Sequence, residues 1–393
     1  MSEQTPALLK KAQNGDARFF IQFGGQGNSF LSEARVLYKN YPSLKKYFEV
    51  AIQAVNDFMQ RDDVKEVEHI IYTNGFDIGD WLTADEPPPA EYLVPSPVSF
   101  PGNQITQLAT WHFFTQSGYP ISEILKYTVG TTGHSQGLQA AVAISLGKEE
   151  NDFYEMLYDF VYWFAVAGFY TQKIYGVRPV SEPTKNLAYT FDNEMPTPMA
   201  VVMGLSENAL QELIHAFNKT IPESMGIDLS LVNTDQVLVI TGHIDDVVHF
   251  RKAYHSLFTE NKYTWNYVPV SAPFHRREPF EVGIQNFFAD KTSLDFKYKG
   301  SDLKLPVYSF HDGSNLQEAG PLSEIMASTM VMSHLNWRLA LSRLTSDESI
   351  THVIDFGPGK ISAMLTRGLF RSNNRFEIIS AVGKAGMNKL LAV

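Results

Sequence analysis

Apolar and polar residues alternate in blocks that predict short strands, each followed by a helix. A β-prone apolar run at residues 18–23 ends in a glycine-rich turn, and a helical pattern begins at about Ser32. A second short strand is predicted at residues 127–129, followed by small, helix-favouring residues at 136–146. Apolar residues then recur at three- and four-residue steps over 153–174, as one buried face of a long helix requires. The alternation predicts an α/β fold with a parallel sheet.

Residues 196–267 have a different pattern, which predicts a small inserted subdomain. Short strands and two helices follow one another there in the order βαββαβ, which is that of a ferredoxin-like unit. The flanking residues 1–195 and 268–393 would together form the larger body. Two apolar runs that end in turns, at 305–313 and 351–359, are predicted to add strands to the sheet of the body.

Two further stretches decide how the body is connected. Six prolines lie within residues 87–101, and we predict an extended loop that crosses the body, because helix-like sequence resumes directly afterwards. The longest apolar run, residues 160–170, is shorter than the roughly 20 residues that span a bilayer, and it predicts a buried helix. The polar N-terminal residues lack the apolar core of a signal peptide.

Composition narrows the classes of function. The 393 residues include 32 Lys and Arg and 43 Asp and Glu, so the formal net charge is −11. An acidic chain with no basic block is a poor candidate for binding nucleic acid or an anionic membrane. Cysteine is absent, which excludes disulfides, thiolate metal sites and a cysteine nucleophile. His311 and His334 lack the spacing of a metal motif, and we expect a cytoplasmic protein without a bound metal.

Residues 133–137, Gly-His-Ser-Gln-Gly, lie between a predicted strand and a predicted helix and match the pattern Gly-x-Ser-x-Gly. Glycines on both sides let the backbone turn sharply enough to expose the hydroxyl of Ser135 as a nucleophile. The helix that follows would direct its N-terminal amides toward that hydroxyl, where negative charge develops during acyl transfer. The alternative is a chance glycine–serine loop, and the flanking strand and helix favour the nucleophile elbow.

A nucleophilic serine needs a base, and among the 11 histidines we favour His275. It follows Pro273 where the last strand of the insert returns to the body, so its ring would face the cleft between the two parts. His134 is adjacent to Ser135 in the chain and would point away from the hydroxyl. Spacing alone leaves open that His275 is a surface residue at the end of a strand. Asp355 resembles a triad acid in its position, and we interpret it as structural.

These motifs together resemble a known family along nearly all of residues 18–393. The chain is similar to the acyl-CoA:acyl-carrier-protein transacylases. It is more similar still to the starter acyltransferase domain of fungal-type fatty acid synthase and to the starter-unit transacylases of polyketide synthases. The sequence Gly-His-Ser-Gln is typical of this fungal branch. The resemblance is carried, in family order, by residues 23–42, 91–110, 130–145, 230–242, 268–275 and 351–359.

The resemblance implies a fold and a set of site residues. The fold would be an α/β-hydrolase-like body with a parallel sheet and a nucleophile elbow, plus the inserted ferredoxin-like subdomain. Ser135 would be the nucleophile and His275 the general base. The backbone N–H groups of Gln26 and Gln136 would form the oxyanion hole, and Asn233 would order the cleft. Backbone carbonyls orient the histidine in this family, so no catalytic carboxylate is required. Plain turn formation is the alternative role for Gln26 and Asn233.

The long helix differs from that of the malonyl-selecting relatives at one position. They have an arginine that pairs with the malonyl carboxylate, and the aligned residue here is Ala167. We predict that Ala167, Tyr170 and His134 contact the substrate. Without a cation a malonyl carboxylate would be desolvated at a cost of roughly several kcal/mol, whereas a neutral chain gains about 0.8 kcal/mol per buried methylene. We therefore expect a neutral acyl group, acetyl or longer. The alternative is that Lys173 or Arg178 supplies the charge.

The implied reaction is a two-step acyl transfer through an acyl-serine, with acyl-CoA and the phosphopantetheine of an acyl carrier protein as substrates and no permanently bound cofactor. A fatty acid or polyketide synthase would be the larger partner. A malonyl-CoA:carrier transacylase and an editing hydrolase with the same Ser–His pair are the alternatives. Docking of an acidic carrier would need a basic patch, and the candidate residues near motif ends are Arg276, Arg277, Lys360, Arg367 and Arg371.

Overall fold

The computed structural model describes residues 5–27, 30–222, 226–289, 296–373 and 375–393. No helix within these ranges is long and apolar enough to cross a membrane. The strands are β1 (Phe19–Phe23), β2 (Thr128–Gly133), β3 (Met199–Met203), β4 (Ile227–Thr234), β5 (Val237–Gly242), β6 (Thr264–Tyr267), β7 (Val307–Tyr308), β8 (Leu335–Asn336), β9 (His352–Asp355) and β10 (Glu377–Ser380). The helices are α1 (Ala7–Gln13), α2 (Phe30–Asn40), α3 (Lys45–Met59), α4 (Asp62–Lys65), α5 (Glu68–Ile71), α6 (Ile78–Thr83), α7 (Ser96–Gln116), α8 (Ile121–Tyr127), α9 (Gly137–Ser145), α10 (Glu150–Tyr175), α11 (Glu182–Asp192), α12 (Glu207–Asn218), α13 (Ile244–Ala253), α14 (His255–Glu260), α15 (Glu281–Ala289), α16 (Leu322–Met332), α17 (Trp337–Ala340), α18 (Ser342–Ser346), α19 (Ile361–Leu369) and α20 (Lys384–Leu390).

The larger sheet is parallel in each of its described pairs and has the strand order β10-β9-β1-β2-β7. All residues of the central strand β1 are buried, as expected for a strand covered by helices on both faces. β1 and β2 run side by side so that Phe23 lies opposite Gly133 at their carboxyl ends. The predicted α/β body is confirmed. The turns after β1 and β2 therefore emerge at one edge, which is where open α/β sheets bind ligands.

The smaller sheet belongs mainly to the inserted segment. Its strand order is β6-β3-β5-β4-β8, and its pairs are antiparallel except for β4 and β8. Strands β3 to β6 and helices α12 to α14 follow the predicted order, with the second helix divided in two near Tyr254. Strand β8 was not predicted from the sequence. It comes from the body and consists of Leu335 and Asn336 alone. Two residues carry no periodic pattern. The limits of the insert, 196–267, stay a prediction.

Helices α7 and α10 pack against each other over much of their length. The prediction of an extended loop over 87–101 is wrong for its second half, because α7 begins at Ser96 with Pro97 in its first turn. A proline at a helix start has a suitable φ and lacks only an N–H that the first turn leaves unbonded. Helix α10 covers the predicted range of 153–174 and extends three residues before it and one residue after it. A Cβ added to Gly168 would lie 2.3 Å from the Ser96 carbonyl oxygen, so this glycine allows the two helices their close approach.

Candidate active site

Ser135 lies in a tight turn between the end of β2 and the start of α9. Its φ of 52° is in the left-handed region, which costs on the order of 1–3 kcal/mol for such a residue and is typical of functional turns. A Cβ on Gly133 would lie 1.9 Å from the carbonyl carbon of Gly137, and a Cβ on Gly137 would lie 2.5 Å from the carbonyl oxygen of Gly24. The two glycines therefore let the turn close on itself and on the loop after β1.

The side chains of Ser135 and His275 meet across the cleft. The Oγ of Ser135 lies 2.9 Å from Nε2 of His275, although 140 residues separate them in the chain. The other ring nitrogen, Nδ1, lies 2.8 Å from the main-chain oxygen of Ser333. A carbonyl oxygen only accepts hydrogen bonds, so Nδ1 carries the proton of the neutral ring and Nε2 presents its lone pair to the serine. This arrangement can remove a proton from the hydroxyl.

The backbone fixes the position of the His275 ring. Its main-chain N–H donates to the carbonyl of Val331 at 2.8 Å, and its φ of 59° is also in the left-handed region. The side chain is buried and packs edge-on to the ring of Phe310. Burial lowers the pKa of His275 to about 3, and His134 and His334 act in the same direction, whereas the hydrogen bond to Ser333 opposes the shift. The imidazole is therefore neutral at physiological pH.

Carboxylates take no part in orienting this histidine within the described ranges. Asp355 is fully buried at the end of β9, and it accepts hydrogen bonds from Gln22, from Ser362 and from the main-chain N–H of Gly357. Burial raises the pKa of its carboxyl group, and these three bonds oppose that rise. The contacts of Asp355 join β1, β9 and α19 beneath the site, as its structural interpretation expects.

Two main-chain N–H groups are available beside the serine. None of the hydrogen bonds in the described ranges uses the N–H of Gln26 or of Gln136. The loop that carries Gln26 lies against the elbow, since a Cβ on Gly25 would lie 3.2 Å from Cβ of Ser135. Gln136 directly precedes α9, so its N–H lies at the positive end of that helix. Two such donors next to a nucleophile are what an oxyanion hole needs.

A chain of side-chain amides connects these two residues, and the sequence analysis missed one of its members. The Nδ2 of Asn103, on α7, donates to Oε1 of Gln136 at 2.8 Å. The Nε2 of Gln136 donates to Oε1 of Gln26 at 3.1 Å. The Nε2 of Gln26 then donates to the Val94 carbonyl at 2.5 Å and to the Ser99 hydroxyl at 3.0 Å. Asn103 gives no distinct signal in the sequence, because α7 carries many polar residues and most of them are buried.

The remaining residues predicted for the site are His134, Asn233, Tyr170 and Ala167. The Nε2 of His134 lies 2.7 Å from Oδ1 of Asn233 on β4. Burial lowers the pKa of His134 to about 4. The hydroxyl of Tyr170 donates to Asp63 on α4 at 2.8 Å, and its contact with the substrate stays a prediction. Ala167 is buried on α10 next to the contact with α7. Asn233 and His134 thus join the insert to the elbow.

The two cations named as alternatives for binding a carboxylate both have other contacts. The guanidinium of Arg178 lies over the ring of Tyr175 at 4.6 Å and donates to the main-chain oxygen of the same residue. The ammonium of Lys173 lies 5.6 Å from the ring centroid of Phe169 and 5.7 Å from that of Tyr170. Neither contact places a cation at Ser135.

A cavity of about 160 Å³ adjoins the Gln26 loop. Its described lining is apolar or neutral and contains no charged side chain. The lining residues are Gln26, Gly27, Phe30, Ala90, Leu93, Val94, Ser99, Asn103 and Pro269. A cavity of about 150 Å³ can hold a molecule as large as benzene, so this space fits a short neutral chain. No group of three or more His, Asp or Glu side chains that could hold a metal ion occurs within the described ranges.

Comparison of the sequence with known proteins identifies relatives among fungal fatty acid synthases. Over 386 residues the chain is 28% identical to the fatty acid synthase subunit beta of Saccharomyces cerevisiae. This alignment covers 91% of this chain and 18% of that protein. Over 373 residues it is 28% identical to the corresponding subunit of Gibberella zeae, covering 90% of this chain and 17% of that protein. The chain spans about a tenth to a fifth of the length of the curated relatives that it matches.

Solved structures and a family model complete the comparison. The malonyl-CoA:acyl carrier protein transacylase of Xanthomonas oryzae has the same fold, with a TM-score of 0.68 at 17% identity over 95% of this chain and 98% of that one. The MCAT of Streptococcus pneumoniae gives a TM-score of 0.66 at 17% identity over 95% of this chain and 99% of that one. The model described as "Starter unit:ACP transacylase in aflatoxin biosynthesis" matches residues 21–275, well over half of the chain. The chain therefore belongs to the starter unit:ACP transacylase family, whose members are acyltransferases that act on acyl carrier proteins.

Proposed function

We propose that this protein transfers a neutral acyl group from acyl-CoA to the pantetheine thiol of an acyl carrier protein through an acyl-Ser135 intermediate. The observation that carries the proposal is the 2.9 Å contact between Oγ of Ser135 and Nε2 of His275. The bond from Nδ1 to the carbonyl of Ser333 supports a general-base role for the second nitrogen. Incubation with acyl-CoA and a holo-carrier protein, followed by mass spectrometry of both proteins, tests the transfer.

The first half-reaction forms the acyl-enzyme. His275 takes the hydroxyl proton of Ser135 as Oγ attacks the thioester carbonyl carbon. The resulting oxyanion accepts hydrogen bonds from the main-chain N–H groups of Gln26 and Gln136. Collapse breaks the carbon–sulfur bond, and the imidazolium returns its proton to the leaving sulfur. The products are free CoA and an ester on the serine.

The second half-reaction reverses these steps with a different thiol. The pantetheine thiol of the carrier enters the cleft, and Nε2 of His275 takes its proton. The thiolate attacks the ester carbonyl, the same two N–H groups stabilise the oxyanion, and the proton returns to Oγ of Ser135. The burial of the histidine ring supports this route over hydrolysis, because a buried base leaves little room for a competing water.

Two features support a neutral acyl group. The cavity of about 160 Å³ beside Gln26 has no charged residue in its described lining, and it adjoins the oxyanion loop although Ser135 and Ala167 do not line it. Ala167 offers no cation where the malonyl-selecting relatives have one. The solved structures with the same fold are described as malonyl transferases, which makes malonyl the leading alternative substrate. A carboxylate in this site would lose its hydration without gaining a partner.

Helix α19 supports a docking site for the carrier. Its first residue lies beside the oxyanion loop, since a Cβ on Gly27 would lie 3.8 Å from Cδ1 of Ile361. Its other end reaches the insert, where a Cβ on Gly368 would lie 3.5 Å from Thr234. The outer face exposes Ile361 and 64% of Met364. The exposed basic residues on or next to this helix are Lys360, Arg367 and Arg371. An apolar strip with a basic border fits an acidic carrier helix.

The remaining two cations that the sequence nominated for docking are already paired. Arg276 forms a 2.9 Å ion pair with Asp228, and Arg277 forms a 2.8 Å pair with Glu281. Of the three near α19, Arg367 donates to the main-chain oxygen of Ile378. Lys360 and Arg371 are therefore the better choices for charge reversal.

We expect the double variant Lys360→Glu/Arg371→Glu to raise the KM for the holo-carrier about tenfold at low salt, because two attractions become repulsions. Acylation by acyl-CoA alone stays within about twofold of wild type, since this half-reaction needs no carrier. The matched control is Lys10→Glu/Lys11→Glu on α1, which packs near the start of β2 at the opposite end of the sheet. Equal KM values in the two double variants would remove α19 from the docking site.

The lowered pKa of His275 predicts an unusual pH profile for acylation. A solvated histidine is half protonated near pH 6.5, whereas this ring stays neutral until the pH approaches about 3. We therefore expect kcat/KM for CoA release to change by less than about twofold between pH 8 and pH 5.5. Stopped-flow release of CoA measures it, with circular dichroism to verify folding at each pH. A loss of activity with a midpoint near 6.5 would contradict the proposed environment of the base.

The proposal includes a location and a setting for the protein. We place it in the cytoplasm, as expected from the composition. Its reaction uses CoA and phosphopantetheine as substrate carriers and needs no bound cofactor. The relatives are subunits of fatty acid synthases, which supports a synthase as the larger partner.

A further inference from the structure

We infer that the side chains of Asn103 and Gln136 are positioning groups for acyl transfer, because the amide chain Asn103–Gln136–Gln26 sets the spacing of the two oxyanion-hole N–H groups. The inference rests on the proposed function, in which the main chains of Gln26 and Gln136 supply those groups. Neither side chain needs to touch the substrate for this role.

The direction of every bond in the chain is fixed by its last acceptor. The main-chain oxygen of Val94 can only accept, so the end of the Gln26 amide that faces it is the NH₂ group. The carbonyl end of Gln26 therefore faces Gln136, which must present its own NH₂ group. The carbonyl end of Gln136 in turn requires the NH₂ group of Asn103. A carboxylate at any of the three positions would reverse or break this order.

The chain joins the loop after β1 to the turn after β2, and it adds to the bond that Gln107 donates to the carbonyl of Gly24 and to the bond between His134 and Asn233. Gln26 lies in the loop after β1, and Gln136 lies in the turn after β2. The loop is flexible by composition, with glycine at 24, 25 and 27 and a φ of 127° at Gly27. The 3.1 Å bond between the two side chains links the same two residues whose main-chain N–H groups are unbonded in the described ranges. A change in that bond therefore moves one donor relative to the other.

Asn103 anchors the chain to a rigid part of the molecule. It lies within α7, and only 1% of it is exposed. The side chain of Gln136 is buried as well, at 2% exposure. Leaving a buried amide donor unpaired costs on the order of 1–3 kcal/mol, which favours the bond from Nδ2 of Asn103 to Gln136, whereas Oδ1 of Asn103 has no partner among the described residues. The anchor thus transmits the fixed position of α7 to both donors.

We expect Gln136→Leu to lower kcat for acyl-enzyme formation about 10- to 100-fold, with KM for acyl-CoA within about twofold of wild type. The oxyanion exists only in the transition state, so a misplaced donor affects kcat and leaves ground-state binding unchanged. The matched control is Gln139→Leu, one turn along α9, whose buried amide donates to the sulfur of Met330 and takes no part in the chain. This control loses a buried glutamine from the same helix and keeps kcat near wild type.

A second variant keeps the test decisive if Gln136→Leu does not fold. Asn103→Leu removes the anchor and is expected to show the same loss of kcat, and kcat alone is the readout for this variant because Asn103 also lines the cavity beside Gln26. In combination the two substitutions cost little more than the larger single loss, because they break one chain. A folded Gln136→Leu or Asn103→Leu with kcat within about twofold of wild type, or additive losses, would overturn the inference. If wild-type protein fails to acylate Ser135 at all, the proposed function itself fails, which is a separate result.

Discussion

Ser135→Ala is expected to abolish the covalent acyl-enzyme and to lower the transfer of acyl groups to the carrier by at least about 10³-fold. The loss is this large because no other hydroxyl in the described ranges contacts His275, whose Nε2 faces Ser135 alone. Alanine avoids new polar contacts in the elbow, so the fold should survive. Intact mass after incubation with acyl-CoA, and the rate of carrier acylation, measure the two effects.

The companion variant His275→Ala separates the nucleophile from its base. This variant keeps Ser135 and should still form the acyl-enzyme, but slowly. Its rate of acyl transfer to the carrier should fall about as far as that of Ser135→Ala. Ser333→Ala is the matched control, because the bond to His275 uses its main-chain oxygen and survives removal of the side chain. Transfer by Ser135→Ala at more than about a tenth of the wild-type rate would contradict the assignment of the nucleophile.

Ala167→Arg is expected to raise the ratio of kcat/KM for malonyl-CoA over acetyl-CoA by about 100-fold or more. A guanidinium at this position of α10 would pair with the carboxylate in bidentate fashion and offset its desolvation. A hundredfold change corresponds to about 2.7 kcal/mol of differential transition-state binding. Steady-state kinetics with both thioesters, measured as release of CoA, gives the ratio directly.

The control for this substitution is Ala167→Met, which adds a long side chain without a charge. It should lower activity with both thioesters by filling space and leave their ratio within about threefold of wild type. If Met and Arg change the ratio equally, size alone acts at position 167. If the wild-type protein already prefers malonyl-CoA, the charge comes from elsewhere and the substrate assignment is wrong.

The sequence predicted the parts of the fold that have a strong local signal. The apolar run before the glycine turn predicts a strand, and this strand is β1. The spacing of apolar residues at three- and four-residue steps predicts a long helix, and this helix is α10. The prolines of residues 87–101 predict a loop, and the second half of this prediction is wrong because Pro97 suits the first turn of α7 as well as it suits a loop. Strand β8 carried no signal, since its two residues pair with β4 only through the tertiary fold.

The residues of the site likewise include some with a local signal in the sequence and some without one. The pattern around Ser135 was visible because the elbow needs glycine at fixed positions. His275 was found at a return to the body, but its orienting partner is the main-chain oxygen of Ser333, and a backbone carbonyl leaves no trace in the residue types. Tyr170 is predicted to contact the substrate, and the structure adds a bond from its hydroxyl to Asp63 that the pattern does not indicate. A helical pattern identifies which residues share a face and does not identify which neighbour that face meets.

The most direct test of the account is the fate of Ser135 when wild-type protein meets a mixture of acetyl-CoA and malonyl-CoA, followed by a holo-carrier. We predict a single acetyl adduct, located by peptide mass spectrometry on Ser135, which the carrier thiol removes faster than water does. A malonyl adduct in excess, an adduct on another residue, or discharge by water at the rate of discharge by the carrier would contradict it.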